Sequence, residues 1–164
     1  MQRVNIYIQT TIKGPRKQDG YYCFLLELEG NPNTLDGFGT LKMLNEQQSQ
    51  IHTLTVALKH MRKPCILSIY ADSVYLDKVF NRGWLAKWQE NGWKTSRNRP
   101  VSDRAELEEM LEMLNTHEFS ITTASHAFSE WMAMELKKME EKNESLYHSC
   151  TKQFRKLHRQ SIDH

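Results

Sequence analysis

The sequence predicts an α/β domain built on a five-stranded mixed sheet, and three observations carry that expectation. The first 44 residues hold three runs that alternate like strands and are joined by short turns, the pattern of an antiparallel meander. From Glu46 the apolar residues switch to helical spacing, and a further strand follows at once. Strand, helix, strand calls for a crossover and hence a parallel pair in the same sheet. The chain has 164 residues and a mass of 19.4 kDa, enough for one ordinary core and too little for two comfortable ones.

Taken in order, RVNIYIQTT sets Val4, Ile6 and Ile8 against Asn5, Tyr7 and Gln9, a strand with two unequal faces. After the turn-rich KGPRKQDG, the run YYCFLLELEG is a second strand, and Gly30-Asn31-Pro32-Asn33 turns the chain into a third, TLDGFGTLKM. Ile51, Leu54, Leu58 and Met61 line one face of a helix that begins at Glu46 and is stopped by Pro64. CILSIYA is the fourth strand. Asp72 or Ser73 can cap the helix SVYLDKVFN, which Gly83 closes. A helix starting at Ser102 or Asp103 places Leu107, Met110, Leu111 and Leu114 on one stripe; FSITTAS is the fifth strand, and a last helix starts near Ser129. From Lys137 onward 7 Lys and Arg stand against 4 Asp and Glu, with few apolar residues to bury. The division expected is a domain over 1–138 and a charged tail, helical or disordered, over 139–164.

Composition narrows the function classes. Apolar residues make up 39% and charged residues 26%, with 22 Lys and Arg against 20 Asp and Glu, which excludes wholesale disorder and a histone-like polycation. No apolar run approaches the roughly 18 residues of a membrane span, and MQRVNIYIQTTIKGPRK lacks the apolar centre of a signal peptide, so the expectation is a cytoplasmic protein without a membrane partner. Cys23, Cys65 and Cys150 are odd in number and widely spaced, which points to reduced thiols rather than a disulfide framework or a zinc site.

In an open α/β sheet, ligands gather at the carboxyl ends of parallel strands, and Asp72, just past the fourth strand, stands there. The same position suits a helix N-cap. The denser signal lies between Arg82 and Arg99, where Arg82, Lys87, Lys94, Arg97 and Arg99 face only Glu90; that segment carries +4 and leaves the remainder at −2. Cations interleaved with Trp84, Trp88 and Trp93 suit phosphate contacts. Trp84 and Trp88 are four residues apart, on one helical face, and are assigned to packing, which leaves the contacts to the cations.

Trp84-Leu85-Ala86-Lys87-Trp88, then Asn91-Gly92-Trp93-Lys94-Thr95, then Pro100-Val101 and a helix resemble the ribonuclease H family, in particular the basic protrusion that its bacterial members lay against a hybrid duplex. The similarity runs from about Val4 to Lys138. It implies a five-stranded mixed sheet, strands one to three antiparallel, with helices on both faces. It also implies hydrolysis of the RNA strand of an RNA:DNA hybrid by two Mg²⁺ ions held by four carboxylates. Two divalent ions in one cleft demand anionic oxygen ligands. At the positions matching those carboxylates the chain carries Gln9, Gln50, Asp72 and Ala133, or Met134 with a shift of one residue; only Asp72 is an acid. Glu46, one turn before Gln50, lies about 6 Å away along the axis and cannot substitute. His126 falls near the place of a mobile histidine of the family. Its Gly-rich first turn is missing, and Glu46 and Gln47 replace its paired asparagines.

The reading is therefore a ribonuclease H-like protein that binds a hybrid or another duplex through Lys87, Lys94, Arg97 and Arg99, with Trp84, Trp88 and Trp93 building the protrusion. No tightly bound metal and no cofactor are expected. One alternative is a residual hybrid nuclease using Asp72, Glu130 and Mg²⁺ or Mn²⁺. Another is a protein-interaction module whose charged tail holds a partner.

Overall fold

The structure, a computed structural model, describes residues 1–152, with side chains through residue 143. In chain order the elements are β1 (Gln2–Thr10), β2 (Gln18–Leu28), β3 (Thr34–Leu44), α1 (Glu46–Leu58), β4 (Cys65–Ala71), α2 (Val74–Asn81), α3 (Trp84–Glu90), α4 (Arg104–Leu114), β5 (Glu118–Thr122) and α5 (Ser129–Lys152). The sheet order is β3-β2-β1-β4-β5, antiparallel among β1, β2 and β3 and parallel from β1 through β4 to β5. The mixed five-stranded sheet expected from the pattern is the one observed.

Alternation along β1 explains the layers. Val4, Ile6 and Ile8 enter a core shared with Leu54 of α1 and Leu107, Met110 and Leu114 of α4. Tyr7 points to the opposite face, where Cys23 and Leu25 of β2 meet Met132 and Leu136 of α5. β1 is thus buried on both sides, as a central strand with parallel and antiparallel neighbours must be. Met132 and Leu136 are four residues apart and nearly inaccessible; burial of such side chains stabilises by roughly 1.5–3 kcal/mol each, which fixes α5 on its face. Cys23 and Cys65 are free and buried, and burial with the nearby Asp36 and Glu135 charges pushes the Cys23 thiol up to about 12. The side chain of Cys150 lies outside the described ones.

Local chemistry moves several ends from where periodicity puts them. α1 stops at Leu58 rather than running to Met61, because His60 N and Met61 N turn back to Ala57 O and Leu58 O at 3.1 and 3.0 Å. β5 stops at Thr122 rather than Ser125, where Ala124 N donates to Thr122 Oγ1 at 3.2 Å and the chain leaves β4. β2 begins earlier than Tyr21, since its ladder with β3 resumes at Gln18 beyond a bulge. In β3, Gly37 and Gly39 lie under the rings of Phe24 and Tyr22; a Cβ there would stand 2.3 Å and 2.5 Å from ring atoms. α5 crosses position 138 without a break and continues to Lys152. The remainder of the expected tail, 153–164, lies outside the described residues.

Candidate nucleic-acid interface

Two sequence-predicted residues meet at the carboxyl end of the parallel strands. Ile8 pairs with Ala71, so Gln9, near the end of β1, and Asp72, just past the end of β4, come side by side. Both line a cavity of about 160 Å³ with Thr123, Ala124, Ser125, His126 and Ser129. Asp72 is exposed and does not cap α2; Ser73 does, its Oγ accepting from Leu76 N at 3.1 Å. The capping alternative for Asp72 is therefore replaced by a carboxylate facing the cavity.

Gln50 and Ala133 do not line that cavity. Gln50 is buried and its Oε1 finds no hydrogen-bond partner among the described residues, while Thr10 and Ser49 satisfy each other at 3.0 Å. Ala133, Met134 and Glu130 are exposed on α5. Asp72 is the one carboxylate of the cavity lining, and among the described residues no group of three or more His, Cys, Asp or Glu is placed to hold a metal ion. A pair of hard divalent cations is held by several anionic oxygens, and this cavity lining offers one anionic residue, Asp72.

His126 is an ordered part of the wall. Its ring lies 4.4 Å from that of Tyr7 and 5.6 Å from that of Tyr70. Nδ1 accepts from Phe128 N at 3.1 Å and the backbone N donates to Ser129 Oγ at 3.0 Å, which ties the loop to the start of α5. Burial lowers its proton affinity, and with Nδ1 accepting, the neutral ring carries its proton on Nε2. Sequence spacing gives no sign of this stack, nor of Thr123, Ser125 and Ser129, because it depends on where β5 stops.

A second, wider groove of about 330 Å³ runs between the turn after β1, the start of α1 and the start of α3, lined by Gly14, Glu46, Gln47, Tyr75, Lys78 and Trp84 among others. Asn45 and Gln48 form a capping box at the start of α1, and Glu46 Oε1 accepts from Gly14 N at 2.8 Å, so Glu46 braces the neighbouring turn. Lys78 Nζ stands 5.1 Å from the centre of the Trp84 ring. Trp84 packs its ring 5.7 Å from that of Trp88, as its spacing implied, and also lines the groove, whereas Trp88 and Trp93 pack against the main core. Gly83 in the left-handed region (φ 82) turns the chain between α2 and α3 and aims Trp84 there. No period in the sequence marks Lys78, because only that turn brings α2 beside the tryptophan.

Beyond α3, Gly92 (φ 64) and Trp93 (φ 62) turn the chain into a small hairpin. Lys94 bridges Pro100, Thr95 N donates to Arg99 O at 2.8 Å, and Val101 N to Trp93 O at 3.0 Å. The Trp88 and Trp93 rings, 6.4 Å apart, root this hairpin, and Arg104 lies over Trp93 at 5.0 Å. Lys87, Lys94, Arg97 and Arg99 are all exposed, and none takes part in a salt bridge among the described residues. The hairpin thus presents three exposed cations, Lys94, Arg97 and Arg99, and α3 adds Lys87.

The sequence model of the RNase H family matches residues 2–127. The chain belongs to the ribonuclease H family. Curated relatives called Ribonuclease H include that of Caldicellulosiruptor saccharolyticus, 32% identical over 98 residues covering 60% of this chain and 66% of the relative. That of Moorella thermoacetica is 30% identical over 125 residues, 72% of this chain and 76% of the relative. Among solved structures, LC9-RNase H1, described as a type 1 RNase H with the type 2 active-site motif, superposes with a TM-score of 0.64 at 17% identity over 84% of this chain and 71% of that one. The fold is therefore that of ribonuclease H, with the five-stranded mixed sheet, its first three strands antiparallel, and the helices on both faces that the resemblance implied. Among the described residues no helix is long and apolar enough to cross a membrane.

Proposed function

We propose that the protein binds nucleic acid duplexes on a ribonuclease H scaffold and does not cleave them. The observation that carries the reading is the solitary carboxylate: Asp72 faces a cavity with Gln9 and otherwise neutral groups, and Gln50 and Ala133 bring no anion to it. Without several anionic ligands the two Mg²⁺ ions of the family have no seat, and hydrolysis through them has no footing in this donor set. The cationic hairpin is independent of that loss. Lys87, Lys94, Arg97 and Arg99 supply phosphate contacts, and the Lys78 and Trp84 groove extends the same surface toward α1.

Contacts of this kind position a backbone and carry little sequence information, so the ligand class is a duplex recognised by shape and charge. The test is titration of an RNA:DNA hybrid, duplex DNA and duplex RNA with the wild type and with Lys94→Ala/Arg97→Ala. Binding at low salt that weakens in the double variant supports the reading. Absence of binding to all three, or affinity indifferent to the substitutions, overturns it in favour of a protein-interaction role.

A further inference from the structure

β3 ends the sheet, and over 34–42 no backbone group bonds to anything but β2 among the described residues. Open edges of this length are usually blunted by proline, by charges pointing inward or by a bulge. Here the run contains no proline, and the bulge lies at one end, where Met43 (φ 53) donates its N–H to Asp19 Oδ1. The rest of the strand is free to pair.

Its side chains are arranged symmetrically about Gly39. Asp36 lies three residues before it and Lys42 three after, both exposed, and Leu35, four before, is 49% exposed. Lys42 has only a loose contact with Asp19 at 3.8 Å, both side chains largely exposed. We propose that the β3 edge is a self-association surface, on which a second copy of this chain adds its own β3 antiparallel about a two-fold axis through Gly39. That register sets Asp36 against Lys42 of the second copy twice and Phe38 against Thr40 twice. A shift of the axis by one residue loses both ion pairs, and parallel in-register pairing brings Asp36 beside Asp36. Opposite charges across an antiparallel pair stabilise it and like charges oppose it, so the pattern selects one register. The product is a ten-stranded sheet with the α1 and α4 layers of both copies on one side. Both cationic hairpins then face the same side, which raises the effective concentration of the second for any duplex held by the first. The dimer stands or falls independently of duplex binding.

Sedimentation equilibrium of the full chain over a concentration series tests it, with Asp36→Lys, Lys42→Asp and the double swap beside the wild type. The wild-type mass is expected to rise from 19.4 kDa toward twice that value. Each single reversal places two like-charge pairs across the axis and weakens the dimer by about tenfold or more, and the double swap restores it. Amide exchange gives a second readout: protection of the β3 amides rises with wild-type concentration. A wild type that stays monomeric throughout, a dimer indifferent to the single reversals, or a double swap as weak as the singles overturns the proposal.

Discussion

Gln50 is buried, and its Oε1 has no hydrogen-bond partner among the described residues. A buried carbonyl oxygen without a partner costs about 1–3 kcal/mol, so replacing it with a side chain of similar volume and no polar atom removes that cost. Gln50→Leu is expected to leave stability within about 1 kcal/mol of the wild type or to raise it, measured by urea unfolding; a loss above about 2 kcal/mol would show that Oε1 has a partner. The histidines give a second residue-level expectation. Burial lowers the proton affinity of His52, His117 and His126, with the Lys59 charge adding to the effect at His52. Their unfolded counterparts titrate near 6.5, so the unfolded chain takes up more protons below that value; the stability they confer is complete above it and is lost as pH falls through the depressed folded values. The urea midpoint is expected to be lower at about pH 5.5 than at about 7.5, with a smaller drop in His117→Gln/His126→Gln. Equal drops in the two proteins would contradict this assignment.

Elements show why some of the site was legible in the sequence and some was not. Asp72 was legible from its place just past the fourth strand, whereas Gln9 entered only through the family resemblance; alternation defines each strand's faces but not the register of β1 against β4, which sets Ile8 beside Ala71 and so brings Gln9 near Asp72. The cap of α2 was narrowed to two adjacent residues, and only backbone geometry chooses Ser73. The groove position of Trp84 and the stack of His126 escaped because they depend on turns, at Gly83 and after Thr122, whose direction no period encodes. The start of α1 is the element on which the groove rests: Asn45 caps it, Gln48 completes the box and donates to Asp103 Oδ1 at 3.0 Å, and Glu46 holds Gly14. Asn45→Ala is expected to cost about 1 kcal/mol of stability by urea unfolding. No change in the midpoint would show that the box contributes nothing to the helix.

At the scale of the whole molecule, charge is nearly balanced while its distribution is not. The net +2 is smaller than the +4 of 82–99, so attraction to a polyanion is expected to be strongest along α3 and the hairpin. Each phosphate neutralised contributes close to one unit of slope in log affinity against log salt, so Lys94→Ala/Arg97→Ala is expected to flatten that slope by up to about two units without altering sequence preference. An unchanged slope would place the contacts elsewhere. Whether this ribonuclease H scaffold holds duplexes and leaves them intact is decided by incubating protein in excess with an end-labelled RNA:DNA hybrid and Mg²⁺ or Mn²⁺, following binding and strand length in one reaction. The expected outcome is a bound hybrid whose RNA strand stays full length. Metal-dependent shortening of that strand, abolished by Asp72→Asn, would contradict it.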